Sequence, residues 1–182
     1  VQTNNVLTPT AVTTIVAFGD SLEAGVGSTN GNDFVSLLAD QIDEPIINLG
    51  ASGYTTRDGP RRLDSVLAEE PRIVILLSGG NDFLQSIPGT ETFSNLEIII
   101  ESIQETGAAV VLLGVRGGVV KDEYKARFQD LAQQHNVANV ENVLDGLIGR
   151  SELMNDRIQP NDAEYVIIAD RVYPVLQQVR IE

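Results

Sequence analysis

Cysteine and tryptophan are absent from this 182-residue chain, and there is a single histidine. Without cysteine there can be no disulfide, thiolate nucleophile, zinc finger or iron–sulfur cluster. One histidine leaves no His-rich metal site. Basic residues are also scarce: 12 Lys and Arg stand against 26 Asp and Glu, a formal net charge of −14. Phosphate backbones and anionic lipid surfaces repel such a chain, so neither nucleic acid nor a membrane surface is an expected partner. The longest apolar runs, such as Val110–Val115 and Ile98–Ile100, are far too short to span a bilayer. What remains is oxygen chemistry from Ser, Asp, Glu, Asn and backbone amides, with no metal and no cofactor expected.

At about 150 residues per domain, the length predicts one domain, here residues 13–182. Residues 1–12, uncharged and rich in Asn and Thr with Pro9, read as a flexible arm or linker. Val1–Val12 lacks the basic and apolar regions of a signal peptide. The chain nonetheless starts at Val rather than Met, which fits removal of an upstream signal or anchor and an extracytoplasmic location; compartment and oligomeric state stay open.

Five short runs rich in Val, Ile and Leu predict strands at Thr14–Gly19, Pro45–Leu49, Arg72–Leu77, Ala108–Val115 and Ala138–Val143. They do not alternate strictly, the pattern of parallel strands covered on both faces. Between and after them, three- and four-residue apolar spacing predicts helices at Phe34–Ile42, Gly59–Glu69, Glu91–Glu105, Lys121–Gln134 and Asp162–Val179. Strictly alternating strands and helices specify an α/β three-layer sandwich with right-handed crossovers.

Ligands of such sheets bind beyond the carboxyl ends of the strands. There the sequence places Gly19-Asp20-Ser21-Leu22, then Asn48 to Thr56 including Gly53, then Ser78-Gly79-Gly80-Asn81-Asp82, then Arg116-Gly117-Gly118. Ser21, at a strand-to-helix turn, can offer a hydroxyl nucleophile and its own N–H. Gly53 lets an oxygen approach its backbone N–H, and the Asn81 amide can donate to the same oxygen. Taken singly, each has a plainer reading: a helix cap for Ser21, a turn for Gly53, a loop-bracing amide for Asn81.

Together, and in this order, these blocks resemble the SGNH, or GDSL, hydrolase family of serine esterases, thioesterases and lysophospholipases. Gly19-Asp20-Ser21-Leu22, Gly53 and Gly80-Asn81-Asp82 are joined by Asp156-Arg157-Ile158-Gln159-Pro160-Asn161, Tyr165 and Ile168-Ala169. The resemblance runs from Thr14 to Leu176. It implies a flavodoxin-like five-stranded parallel sheet of order 2-1-3-4-5 and hydrolysis of a small ester or acyl substrate. It further implies Ser21 as nucleophile, Ser21, Gly53 and Asn81 as the oxyanion hole, and a catalytic pair at positions 156 and 159. Asp20, Leu22, Tyr54, Phe83, Arg116 and Gly117 are the candidates for contacting substrate.

One departure alters the expectation. The family's histidine base falls on Gln159, and a carboxamide has no basic site near neutral pH. Activity is therefore expected to be weak or lost, with Asp156 and Gln159 at most positioning water or substrate. Two alternatives stand beside this: a pseudoenzyme that binds an ester, acyl chain or glycan, and a deliberately inactivated variant of an active esterase. His135 reads as a surface residue at a helix end, on the edge away from the site, and not as a substitute base. Asp162 and Glu164 read as first-turn acids favoured by the helix dipole. Asp20 and Asp82 read as loop braces. Phe83, Leu84 and Ile87 either line an acyl site or join the local core, the core being the commoner role. Arg57, Arg61 and Arg62 could form a basic patch that offsets the net charge locally. No dinucleotide fingerprint, P-loop or Gly-x-Ser-x-Gly elbow is present.

Overall fold

A computed structural model describes residues 14–115, 123–147 and 160–181. The proposed arm at residues 1–12 lies outside them, as do Arg116, Gly117, Gly118, Asp156 and Gln159. The strands are β1 (Ile15–Gly19), β2 (Ile46–Asn48), β3 (Ile73–Leu77), β4 (Ala109–Leu113) and β5 (Ala138–Val140). They form one parallel sheet in the order β2-β1-β3-β4-β5. Every residue of β1, β3 and β4 is buried, which is why these strands read as unbroken apolar runs.

Six helices complete the described chain: α1 (Phe34–Ile42), α2 (Gly59–Leu67), α3 (Gly80–Leu84), α4 (Gly89–Glu105), α5 (Glu123–Gln134) and α6 (Asp162–Ile181). Helix α1 packs on α6, while α4 packs on α2 and α5, which places helices on both faces of the sheet. Local chemistry sets several boundaries. Asp33 caps α1 by accepting the Ser36 N–H at 3.0 Å and the Ser36 hydroxyl at 2.6 Å. The helix stops where Asp43 turns left-handed at φ 53°. Helix α4 buries Leu96, Ile99, Ile100 and Ile103 along one stripe.

The order 2-1-3-4-5 is as expected, and α1 has the expected bounds. β2, β4 and β5 are shorter than the apolar runs that announced them, because a strand ends where its neighbour stops pairing. β5 pairs with β4 only from Ala138 to Val140, although Val143 N–H still reaches Gly114 O at 3.0 Å. Helix α3 was not anticipated: five residues are too few to display a helical period.

Candidate active site

Because β1 lies between β2 and β3, the loops leaving these three strands are neighbours at the carboxyl edge. Backbone bonds join them directly: Ala51 N–H donates to Gly19 O at 3.1 Å. Arg62 secures the junction from α2, donating to Gly19 O at 3.1 Å and to Leu49 O while its guanidinium lies over the Phe18 and Tyr54 rings. Gly50 sits against the β1 turn so closely that a methyl group there would press on Ala24 N and Glu23.

Ser21, half-buried, opens the turn after β1. Neither its hydroxyl nor its N–H bonds to any described residue, and its carbonyl accepts the Val26 N–H at 3.0 Å. Gly53, at φ 79° with open space where a side chain would be, likewise has an uncommitted N–H among the described residues. Asn81 lies in the first turn of α3, and its Nδ2 donates to Tyr54 O at 2.8 Å. That bond ties α3 to the Gly53 loop and uses one of the amide's two N–H donors. A cavity of about 460 Å³ opens beside Gly53 and Tyr54, with Ser52, Asp58, Arg61 and Arg62. Neither Ser21 nor Asn81 lines it, so it flanks the candidate centre rather than containing it.

The acids differ sharply in what they do. Asp82 is fully buried and accepts the Thr56 N–H at 2.9 Å, the Thr56 hydroxyl, and the Thr92 hydroxyl at 3.2 Å. It braces the β2–α2 loop to α4, as the sequence reading had it. Asp20 is also buried and accepts the Leu22 N–H at 3.0 Å. Burial, with the nearby Asp82 charge, pushes its carboxyl up to about 6 against the opposing effect of that hydrogen bond. Glu23 has both carboxylate oxygens buried without a partner. Burial first, then the Asp20 and Asp33 charges, raise its carboxyl well above the ordinary range.

Several expectations need correction. Phe83 and Leu84 are 43% and 59% exposed and so are not core, whereas Ile87 is buried. Tyr54 is exposed and Leu22 half-buried. Arg57, Arg61 and Arg62 form no open basic patch: Arg57 pairs with Glu91, Arg61 with Asp58, and Arg62 with backbone carbonyls. His135 is not a surface residue but is 5% exposed. Glu164 does stand in the first turn of α6, but enclosed rather than at the surface, at 1% exposed. Burial raises its carboxyl to about 7 despite the opposing Arg171 charge. Asp162 accepts the Thr29 N–H at 2.7 Å, the Thr29 hydroxyl at 2.6 Å and an Asn32 amide, pinning the loop before α1 to the start of α6. Nothing in the sequence signals that a carboxylate at position 23 or 164 is enclosed.

Comparison with known proteins gives a family and a fold. Residues 17–167 match the profile of the GDSL-like lipase/acylhydrolase family. The esterase TesA of Pseudomonas aeruginosa is 30% identical over 179 residues, covering 92% of this chain and 89% of that protein. Thioesterase 1/protease 1/lysophospholipase L1 of Escherichia coli K12 is 28% identical over 176 residues, covering 92% and 85%. A crystal structure of TesA superposes with a TM-score of 0.85 at 29% identity, covering 91% of this chain and 99% of that one.

Proposed function

The chain belongs to the GDSL-like lipase/acylhydrolase family, and from that premise we propose that it is a serine acyl hydrolase of small esters or thioesters whose turnover is limited by Gln159. Ser21 Oγ attacks the acyl carbonyl carbon, and the developing oxyanion is met by the N–H groups of Ser21 and Gly53 and the second Nδ2 proton of Asn81. The alkoxide or thiolate leaves, and water then cleaves the acyl-serine to carboxylic acid and free Ser21. Both steps need a proton removed from the attacking oxygen and one delivered to the leaving group. A carboxamide at position 159 can do neither. In another fold, loss of the histidine from such a site lowered kcat by roughly 10⁶. Oxyanion donors and binding can still supply roughly 10³–10⁴ over water.

The observation that supports this reading is the pair of uncommitted N–H groups, on Ser21 and Gly53, in adjoining loops, with Asn81 bonded to the residue after Gly53. Hydrolysis of p-nitrophenyl acetate and butyrate by the chain, Gln159→His and Ser21→Ala tests it. Gln159→His is expected to raise kcat/KM by about two orders of magnitude, and Ser21→Ala to remove the activity. A fast parent enzyme that depends on Ser21 would sink the argument about Gln159. If none of the three turns over, binding without catalysis becomes the better account.

A further inference from the structure

At the amino edge of the sheet, opposite the candidate active site, α4 meets the turn between α5 and β5. Glu97 and Glu101 lie four residues apart on one face of α4, and His135 faces them from that turn. The histidine side chain is enclosed, yet its Nε2 makes no hydrogen bond; Glu97 Oε1 is 3.4 Å away. Gln104, one turn further along α4, donates from Nε2 to the His135 carbonyl at 3.0 Å and fixes the turn, while its own Oε1 is buried without a partner. Gln134 Nε2 donates to Glu97 Oε1 at 2.8 Å and orients that carboxylate. A buried, unpaired imidazole nitrogen is costly unless something satisfies it. Here it faces the Glu97 carboxylate, and Glu101 stands beside the pair.

We propose that Glu97, Glu101 and His135 form a binding site for a divalent transition-metal ion, with zinc the best fit to the donors. One ligand atom from each residue lies within 4.8 Å of the other two. Tetrahedral zinc with bonds of about 2.0–2.2 Å holds its donors roughly 3.3–3.6 Å apart. The gap closes by rotation of the Glu101 side chain, which is exposed. Two carboxylates and a neutral imidazole balance a divalent charge, and water can take the fourth position. An imidazole ligand favours zinc, nickel, cobalt or copper over magnesium and calcium, which take oxygen donors. Placed between α4 and the entry to β5, the ion is a clamp on the scaffold, remote from Ser21.

The chain's single histidine gives the site its own reporter. Zinc added to the protein without a histidine tag should bind one-to-one and shift the imidazole ¹⁵N resonances in long-range ¹H–¹⁵N spectra; magnesium should not. Zinc at about a hundred times its Kd should raise Tm by roughly 5–10 °C. Glu101→Gln, at an exposed position that leaves the fold intact, should weaken zinc binding about tenfold or more, since even outer-shell changes have that effect. His135→Gln should abolish one-to-one binding. Imidazole resonances unmoved at saturating zinc would overturn the assignment. So would Glu101→Gln binding as tightly as the parent, or magnesium reproducing the shift. Because the readouts are binding and spectra, they are independent of any esterase activity.

Discussion

Asp82 accepts hydrogen bonds from Thr56 and Thr92 while wholly out of water, so removing its carboxylate leaves the buried Thr56 N–H and hydroxyl unpaired. Asp82→Ala should lower unfolding free energy by about 2–4 kcal/mol in urea titrations. Asp82→Asn should lower it less, since a carbonyl oxygen can still accept from the Thr56 N–H. Glu23 is the opposite case. Its carboxyl is held well above the ordinary range by burial, and neither oxygen accepts a hydrogen bond that an amide would forfeit. Glu23→Gln should therefore change Tm at pH 7 by only a few degrees, and a large loss would show that the acid has a partner. The sequence singled out Asp20 and Asp82 through the blocks they occupy. Glu23, Glu164 and His135 were invisible as buried residues, because enclosure comes from neighbours distant in sequence.

Between elements, the decisive contact is the close approach of the β2 loop to the turn after β1. Gly50 leaves no room for a methyl group against Ala24 N and lies 2.6 Å, measured to an added Cβ, from Glu23 C. Gly50→Ala must push the two loops apart, at about 1–3 kcal/mol of stability. It should also lower Ser21-dependent hydrolysis in the Gln159→His background more than the fall in folded fraction explains, as compared by circular dichroism and initial rates. Helices with long apolar stripes and strands with β-branched runs were legible in advance, α1 to the residue. Helix α3 was not, although it carries Asn81. It exists because Gly79 adopts φ 116° after β3 and lets the chain turn at once into a helix.

For the whole molecule, the buried acids make stability depend on pH in an unusual direction. Glu164 and Asp20 have carboxyls raised to about 7 and about 6 in the folded chain, above their unfolded values. The folded state then binds protons more tightly than the unfolded one. The stability they contribute is complete below about pH 4 and is lost as pH rises through 6 to 7. Repulsion within a chain of net charge −14 acts the same way. Asp58 and Asp162, whose carboxyls are held low by hydrogen bonds from Thr55 and Thr29, oppose it only at more acid pH. Tm should therefore be higher near pH 5.5 than near pH 8. Glu164→Gln should flatten the fall between pH 6 and 8 by roughly 3–5 °C; an unchanged slope would leave the decline to Asp20 and net charge.

Composition and order alone determined that thiolate, disulfide and His-rich chemistry are closed to this chain, that strands and helices alternate in a parallel sheet, and that Ser21, Gly53 and Asn81 follow successive strands. Those features depend on residue type and on spacing along the chain, which a sequence states outright. Only the tertiary structure decided that Asn81 is bonded to the Gly53 loop, that Arg62 donates to the Gly19 and Leu49 carbonyls, and that Glu23 and Glu164 are enclosed. It also decided that His135 faces α4. Glu101 and His135 stand 34 positions apart on different elements, and their meeting depends on how α4 and α5 pack beside β4 and β5. Burial and juxtaposition are properties of packed neighbours, and the helix dipole or surface role that suits a residue in isolation gives way once the sheet closes over it.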